Sequence, residues 1–395
     1  MSTYQSIVFI CPNYPKRGGV EAVTGFLTDF FIKHGYDVTL LVSKKQLKET
    51  NTLDRHDHRM IEMPGILNSV ENLNFLDVYF RHKPHTVIIN QGLQSLIYQQ
   101  YKPLPTQLFI NTLHGKPFWE LDLFHFYSLK DLLKNAPSSF SKSILFLRYV
   151  FAKIHSEWAF PRLSYFYKQQ IEHVHHYVVL DDSFRKTLEE RLYKGFRKST
   201  IKVIQNPLPY SAVDPCKKSQ MVLYVGRLIR SSKRVDRLLK IWKRLEKNQP
   251  DWNLVIIGDG EDRTALQKLC FDLNLQHVSF KGIQDAEPYY EKASILCLTS
   301  SWEGTPMVIP EAQHFGVVPI VYECVTSMQT MIDHEINGIL IPPYDENAFT
   351  LALGSLMNHP EKLKMMSENG PAKTTDLMLD KIGNQWIELF EGPKE

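Results

Sequence analysis

Short apolar runs alternate with longer amphipathic stretches along most of the chain. The first apolar run is Ile7–Ile10, and a loop rich in proline and glycine follows at Pro12–Gly19. Apolar side chains then recur at helical spacing over Val20–His34, and Gly35 is a typical helix end. A second strand is predicted at Asp37–Val42. A strand, a helix and a strand in this order indicate a parallel sheet.

The first half of the chain continues this pattern with one interruption. Further strands are predicted at Thr86–Ile89, Leu108–Asn111, Val178–Leu180 and Ile201–Ile204. Between them, about residues 118–177 are crowded with aromatic and basic side chains at helical spacing. We interpret that segment as a helical insertion in the first domain.

A second alternating series begins after the polar stretch 211–220, which is the best candidate linker. Helices are predicted at Val235–Leu245 and Glu261–Leu273. The predicted strands are Val222–Val225, Leu254–Ile257, Val278–Phe280, Ile295–Leu298, Val318–Val321 and Gly338–Ile341. The pattern predicts two α/β domains in tandem, with a ligand in the cleft between them.

Bulk composition narrows the function. The chain has 395 residues, 43% of them hydrophobic and 23% charged, which suits a folded protein of two domains. A net charge of +3 argues against nucleic acid as a partner. Five scattered cysteines without a C-x-x-C pair argue against zinc and favour a reducing cytoplasm. The sequence has neither a secretory signal nor a long apolar span, so we expect a cytoplasmic protein.

Two glutamates eight residues apart form the sharpest candidate site. Glu303 lies in a loop, and Glu311 lies at the start of the next predicted helix. Thr305 is predicted as the N-cap of that helix and Pro306 as its first residue, which would leave backbone N–H groups free for phosphate or sugar oxygens. The alternative is a solvated loop glutamate and a glutamate that favours the helix dipole.

A basic pair follows the first strand of the second domain. The run Gly226-Arg227-Leu228 comes directly after Val222–Val225, and Lys233 lies six residues beyond Arg227. Cations at the carboxyl end of a strand suit a phosphate. The alternative is a solvated helix face, since Arg230, Arg234 and Arg237 make the whole stretch basic.

The first domain offers weaker signals. Gly18 and Gly19 follow its first strand and allow close backbone approach to a ligand. His114 follows a later strand. The run 173–176 contains three histidines but has no acidic or cysteine partner nearby, so we interpret these as solvated loop histidines. Fingerprints of nicotinamide-cofactor, P-loop, zinc-protease and serine-hydrolase sites are missing, as is an Asp-x-Asp metal clamp.

In combination, these features resemble the retaining glycosyltransferases of family 4, glycosyl transferases group 1, which have the GT-B fold. The resemblance is strongest over Val222–Pro342. It rests on Gly18-Gly19-Val20-Glu21, His114-Gly115, Asn206-Pro207, Val225-Gly226-Arg227-Leu228, Lys233, Ile257-Gly258-Asp259-Gly260, Phe280-Lys281-Gly282, Ser300-Ser301-Trp302-Glu303-Gly304 and Glu311 with Gly316. Departures at Thr305 and Gly115 both concern the sugar pocket.

The resemblance implies two Rossmann-like domains that face a central cleft: an acceptor domain over residues 1–210 and a donor domain over 211–380. We expect residues 381–395 to form a helix that packs back on the first domain. The catalytic residues would be Arg227, Lys233, Glu303 and His114. The donor-binding residues would be Gly18, Gly19, Gly282, Ile283, Gly304, Thr305, Pro306 and Glu311.

Roles follow by resemblance. Arg227 and Lys233 would bind the donor diphosphate in place of a metal, so no cofactor or metal is expected. Glu311 would bind the ribose, and Glu303 the transferred sugar. We expect a retaining transferase that moves a hexose or N-acetylhexosamine from a UDP-sugar to a glycan or polyprenyl-linked acceptor, as in bacterial surface polysaccharide synthesis. A sugar-nucleotide epimerase, a phosphorylase and a non-enzymatic sugar-binding protein are the alternatives.

The insertion suggests peripheral contact with the inner face of the cytoplasmic membrane. Its aromatic and basic residues could lie at a membrane interface and meet a lipid-linked acceptor, although an ordinary helical core would use the same aromatics. The residues in question are Phe118, Trp119, Phe124, Phe126, Tyr127, Phe146, Arg148, Tyr149, Phe151, Lys153 and Trp158.

Overall fold

Parallel pairing joins all the named strands of the described chain. The structure is a computed structural model that describes residues 4–11, 14, 18–42, 58–65, 69–91, 101–122, 160–192, 200–211 and 218–392. The chain divides into two compact units: Met1–Pro209 together with Leu379–Glu395, and Tyr210–Met378.

The first unit is built on a sheet with strand order β3-β2-β1-β4-β5-β6-β7. The strands are β1 Ser6–Cys11, β2 Asp37–Val42, β3 Met60–Glu62, β4 Thr86–Asn90, β5 Leu108–Leu113, β6 His176–Val179 and β7 Ile201–Val203. The order reverses between β1 and β4, and ligands of such sheets bind outside the carboxyl ends of the strands at that point.

The second unit repeats the arrangement with the order β10-β9-β8-β11-β12-β13. Its strands are β8 Met221–Val225, β9 Asn253–Ile257, β10 Val278–Gly282, β11 Ile295–Leu298, β12 Val318–Tyr322 and β13 Ile339–Ile341. Here the order reverses between β8 and β11, which pair through Ile295 with Val222 and Leu296 with Leu223. The loops that follow these two strands therefore meet at one edge of the sheet.

Helices connect the strands in both units. The described helices of the first unit are α1 Gly19–Lys33, α2 Val70–Arg81, α3 Trp119–Asp122, α4 over residues 160–172 and α5 Asp182–Arg191. Those that follow are α6 Val235–Leu245, α7 Arg263–Asp272, α8 Glu287–Lys292, α9 Val308–His314, α10 Ser327–Met331, α11 Glu346–Asn358, α12 Pro360–Thr374 and α13 Leu379–Glu391. Short 3₁₀ turns lie at Glu246–Asn248 and Thr375–Leu377. Within the described residues, no helix is both long and apolar enough to cross a membrane.

Sequence and structure differ at several elements. Strand β3 and helix α2 have no counterpart among the predicted elements, because β3 has only three residues and α2 mixes polar and apolar positions. Helix α7 is shorter at both ends than Glu261–Leu273. Strand β6 begins at His176, so the interpretation of that residue as a loop histidine is wrong.

Part of the predicted insertion belongs to the core. Phe118 is only 2% exposed, and its ring packs against Phe160 at 5.4 Å and Tyr167 at 4.8 Å between centroids. The expectation of a membrane-facing Phe118 is therefore wrong. The other proposed membrane-contact residues from Phe124 to Trp158 lie outside the described residues.

The last helix, α13, completes the core of the first unit. Trp386 and Phe390 join the same buried cluster as Phe31, and the rings of Phe31 and Phe390 lie 5.5 Å apart. The hydroxyl of Tyr36 donates to Glu391 at 2.6 Å. Gly383 allows the close approach of α13 to α1, because a Cβ at that position would lie 2.3 Å from the ring of Phe30.

We expect Gly383→Leu to destabilise the protein by about 1–3 kcal/mol, the usual range for overpacking a filled interface. Asn384→Leu is the matched control, because residue 384 is the next position on α13 and is exposed. Urea unfolding curves of the two variants provide the measurement. Equal midpoints would contradict the close packing at Gly383.

Candidate functional site

An ion pair lies where the strand order of the second unit reverses. The ammonium of Lys233, in the loop after β8, donates to both carboxylate oxygens of Glu303, in the loop after β11, at 2.7 and 2.8 Å. The Glu303 side chain is 6% exposed and the Lys233 side chain 20%. The structure thus brings together two of the predicted catalytic residues.

The two loops are bonded to each other beside this pair. The backbone N–H of Ser301 donates to the carbonyl of Ser232 at 2.8 Å, and the hydroxyl of Thr299 donates to the carbonyl of Arg234 at 3.0 Å. Ser300 adds a further hydrogen bond of 2.6 Å to Glu303. The carboxylate is therefore held in one orientation by three hydrogen bonds, two from Lys233 and one from Ser300.

The loop that carries Arg227 is fixed by close backbone packing. The N–H of Gly226 donates to the carbonyl of Ile257 at 3.0 Å, and the N–H of Leu228 donates to that of Asp259 at 2.9 Å. A Cβ on Gly258 would lie 2.0 Å from the carbonyl oxygen of Gly226. The Gly258-Asp259-Gly260 run thus serves the packing of two strand-end loops.

The side chain of Arg227 reaches solvent at this edge, and no ion pair to it occurs among the described residues. Its carbonyl accepts a hydrogen bond of 3.0 Å from Tyr224. Burial raises the pKa of the Tyr224 phenol; the charge of Glu303 raises it further and that of Arg227 lowers it. Tyr224 therefore lies within electrostatic reach of both charged groups.

The neighbouring arginines have structural partners. Arg234 forms a hydrogen-bonded ion pair of 3.0 Å with Asp236, and Arg230 lies 3.6 Å from the same carboxylate. Arg237 is 5% exposed and stacks over the ring of Tyr344 at 4.4 Å. Of these three arginines, only Arg230, whose side chain is 63% exposed, fits the alternative of a solvated helix face.

Glu311 lies in helix α9 and accepts a hydrogen bond of 2.8 Å from the hydroxyl of Tyr290. Burial raises the pKa of its carboxyl group, and the hydrogen bond from Tyr290 opposes that shift. Tyr290 bonds to Oε2, and the described residues supply no partner for Oε1. One carboxylate oxygen is therefore left for a ligand.

The start of α9 corrects a prediction. Met307 is the N-cap and Val308 the first helical residue, so Thr305 is not the N-cap and Pro306 is not the first residue. The hydroxyl of Thr305 is buried and has no hydrogen-bond partner in the described part of the chain. The carbonyl of Gly304 instead anchors the loop by accepting a bond of 3.1 Å from Ser327.

Gly282 ends β10 with φ +70°, a conformation that favours glycine. A Cβ there would lie 3.3 Å from the guanidinium of Arg263, which pairs with Asp259 at 2.8 Å. Ile283 follows with 41% of its surface exposed. An exposed apolar side chain next to a glycine, whose backbone is not covered by a side chain, can contact the planar base of a nucleotide.

In the first unit, Gly18 is the N-cap of α1 and Gly19 is its first residue, one position before the predicted start. His114 follows β5, and its Nε2 contacts the side-chain oxygen of Gln91, which follows β4. Burial lowers the pKa of His114 to about 4, so its imidazole is neutral at neutral pH. A neutral histidine can donate or accept a hydrogen bond but carries no charge.

The histidine run at 173–176 is divided between different environments. His173 and His175 are exposed, and Nδ1 of His175 accepts a bond of 3.0 Å from the backbone of Phe109. Burial lowers the pKa of His176 to about 4, and Lys202 and His175 lower it further. Across the residues that the structure describes, no three His, Cys, Asp or Glu side chains are grouped as a metal site would need.

Three contact residues are absent from the sequence-based candidates. Gln91 directly follows β4 and Ser300 lies two residues after β11, which is the position where site residues of parallel sheets lie, so this signal was available. Tyr290 lies in helix α8 and approaches Glu311 only through folding. No local pattern distinguishes it from the preceding Tyr289.

Comparison with known proteins shows similarity to glycosyltransferases. Residues 213–373 match the family model "Glycosyl transferases group 1". An uncharacterized glycosyltransferase of Haemophilus influenzae is 34% identical over 196 residues, which cover 48% of this chain and 55% of that protein. An alpha-1,4-N-acetyl-D-galactosaminyltransferase of Campylobacter jejuni, named for a PP-undecaprenol-linked glycan, is 30% identical over 50% of this chain and 56% of its own. The chain thus spans about half the length of these relatives.

Solved structures extend the likeness to nearly the whole chain. Anabaena HepE, in complex with UDP and glucose, superposes with a TM-score of 0.69 at 14% identity and covers 99% of this chain and 100% of its own. At that identity the likeness concerns the fold. The chain has the GT-B fold, and its residues 213–373 are similar to the glycosyl transferases group 1 domain.

Proposed function

We propose that this protein is a metal-independent, retaining glycosyltransferase that moves a hexose or N-acetylhexosamine from a UDP-sugar to a glycan or lipid-linked acceptor. The observation that carries the proposal is the Lys233–Glu303 pair at the carboxyl ends of β8 and β11, on the edge of the sheet that also presents Arg227. A cation at this edge suits a diphosphate, and a fixed carboxylate beside it suits the hydroxyls of a sugar.

Lys233 retains the capacity to bind a phosphate while it is paired. An ammonium has three N–H donors, and the two bonds to Glu303 use two of them. The third donor and the exposed guanidinium of Arg227 can bind the diphosphate. Glu303 then positions both the ammonium and the transferred sugar.

We propose a reaction that uses this arrangement of charges. The bond between the anomeric carbon and the diphosphate oxygen breaks first, and an acceptor hydroxyl attacks from the same face, so the configuration is retained. Negative charge grows on the leaving phosphate, where fixed cations stabilise it. The departing phosphate oxygen takes the hydroxyl proton, and no separate base is needed.

Glu311 would bind the ribose through Oε1, and Gly282 with Ile283 would contact the base. Gly18 and Gly19, at the start of α1, would approach the phosphates from the first unit. His114 would line the reacting face as a neutral group. The backbone of Gly304, Thr305 and Pro306 would contact the sugar.

The donor and acceptor classes are inferred from relatives. HepE binds UDP with glucose, and the Campylobacter enzyme is named for a glycan on PP-undecaprenol. We infer the same classes here, at the inner face of a bacterial membrane, in surface polysaccharide synthesis.

A donor panel with a polyprenyl-linked acceptor, read by mass spectrometry, tests the proposal. We expect transfer that requires the acceptor, preserves the anomeric configuration in the product's NMR spectrum, and continues in excess EDTA. Loss of transfer in EDTA with recovery in magnesium would refute metal independence. Conversion of the donor without an acceptor would favour an epimerase.

The two cations can be tested by truncation. We expect Lys233→Ala and Arg227→Ala each to lower kcat by about 10²–10³, the usual cost of one lost transition-state donor. Lys243→Ala removes an exposed lysine of α6 and serves as the matched control with unchanged kcat. Near-normal kcat in both site variants would contradict the diphosphate assignment.

Glu311→Gln should separate binding from stability. Burial raises the pKa of Glu311 above its unfolded value, so its favourable contribution to folding is present at acidic pH and lost as the pH rises through the folded pKa. Because the raised pKa makes Glu311 contribute less to folding at neutral than at acidic pH, we expect the non-titrating glutamine variant to have the higher Tm at neutral pH.

The same variant should bind UDP about 10- to 100-fold more weakly, because hydrogen bonds to charged groups contribute about 1.5–3 kcal/mol. Calorimetry with UDP and a thermal melt at neutral pH provide the two measurements. Glu287→Gln, at an exposed carboxylate of α8, is the control. Unchanged UDP affinity in Glu311→Gln would exclude Glu311 from the nucleotide site.

A further inference from the structure

Three buried polar atoms without partners lie at the carboxyl edge of β4 and β5. They are Nε2 of Gln91, Oγ1 of Thr112 and Nδ1 of His114, and none has a hydrogen-bond partner in the described structure. Gln91 is 2% exposed and Thr112 is 3% exposed. Buried polar groups are almost always hydrogen-bonded, so a cluster of three calls for a partner that the chain itself does not supply.

Strand geometry places these groups on one face of the sheet. Asn90 pairs with Asn111 across the two strands, so the next residues, Gln91 and Thr112, lie side by side. His114 comes two residues after Thr112 and therefore returns to the same face. The contact between His114 and Gln91 agrees with this placement.

On the opposite face of the same strand ends, the buried polar side chains are hydrogen-bonded to one another. Asn90 donates to Asn111 at 2.8 Å, and Asn111 donates to Gln170 at 3.4 Å. The hydroxyl of Tyr177 also donates to Gln170, at 3.2 Å. Buried polar side chains on that face have found partners within the chain, which makes the unpartnered face a candidate for a ligand.

The chemistry of the ligand follows from counting donors and acceptors. The Gln91 oxygen faces Nε2 of His114, so Nε2 carries the proton and Nδ1 is an acceptor. The amide nitrogen of Gln91 remains as a donor. If the Gln91 amide is rotated by 180°, its nitrogen donates to Nε2 of His114, and the proton of the imidazole lies on Nδ1. The Gln91 oxygen is then the remaining acceptor and Nδ1 the remaining donor, so one donor and one acceptor are again left.

A hydroxyl group both donates and accepts a hydrogen bond, and it satisfies such a pair completely. A phosphate or a carboxylate only accepts, so it would leave the histidine acceptor without a partner. Burial keeps His114 uncharged at neutral pH, which removes the attraction for an anion. The pair therefore suits a neutral alcohol.

We propose that Gln91 is a positioning and specificity-determining residue, which holds His114 in one tautomer and, with Thr112, forms a subsite for a single sugar hydroxyl. This inference rests on the proposed function, since the hydroxyl belongs to the donor sugar or to the acceptor.

The test pairs variants with deoxy substrates. Wild type, Gln91→Leu and Thr112→Val are assayed for kcat/KM with the parent substrates and with monodeoxy analogues of the donor sugar and of the terminal acceptor sugar. In the wild type, one analogue should have a kcat/KM about tenfold below that of the parent substrate, the effect of one neutral hydrogen bond. In Gln91→Leu, the same analogue and the parent substrate should have equal kcat/KM, because the hydrogen bond is already missing. For each other analogue, the ratio of its kcat/KM to that of the parent should be the same as in the wild type.

The position of that analogue shows whether the hydroxyl comes from the donor or the acceptor. Gln91→Glu keeps an acceptor for Nε2 of His114 but lacks the amide donor, and it should reproduce the loss. Thermal melts separate this loss from misfolding. Gln284→Leu, at an exposed glutamine in the second unit, is the control.

If the loss of kcat/KM for each analogue is the same in both Gln91 variants as in the wild type, the subsite does not exist. A wild type that transfers no sugar from any donor refutes the proposed function instead. Calorimetry with the donor and its deoxy analogues then tests the subsite alone, and the same non-additivity is expected in the dissociation constants. Additive losses in that measurement overturn the proposal.

Discussion

Opposite charges meet at the one place in the second sheet where the direction of the connections reverses. Removing a carboxylate from water costs several kcal/mol, and the attraction of one ammonium offsets this only when further hydrogen bonds complete the shell. Glu303 has that shell: both oxygens accept from Lys233, and Ser300 donates to one of them. The bonds between the Ser232 and Ser301 loops keep the two groups at this distance. Much of the local backbone thus serves to keep one buried charge satisfied.

The glycines of this edge act through packing. Gly226 and Gly258 adopt φ of +152° and +129°, and their backbones approach too closely for a side chain. The G-D-G run after β9 is therefore a packing feature, which agrees with its failure to match a dinucleotide fingerprint. Close packing of these loops also fixes the position of Arg227, whose guanidinium reaches solvent while its backbone is held by the neighbouring loop.

The strands were largely predictable, because a buried parallel strand is a short continuous apolar run. The predicted strand Ile295–Leu298 coincides with β11, and the predicted helix Val235–Leu245 coincides with α6. Site residues at or soon after strand ends could also be selected from the sequence: His114 directly follows β5, and Lys233 lies in the loop after β8. The cap of α9 could not: proline at position 306 suggests a helix start, but the loop anchored through Gly304 delays the helix to Val308. Tyr290 and the pairing of Gln91 with His114 depend on contacts between distant segments, which no local pattern encodes.

Helix α13 closes the core of the first unit, although it follows the second unit in the sequence. The second unit is therefore an insertion between two parts of the first. During synthesis, Phe31 and its neighbours emerge from the ribosome long before Trp386 and Phe390, which cover them. The aromatic cluster of the first unit must remain partly uncovered until the entire second unit has been translated, so the first unit can complete its core only after synthesis of the second.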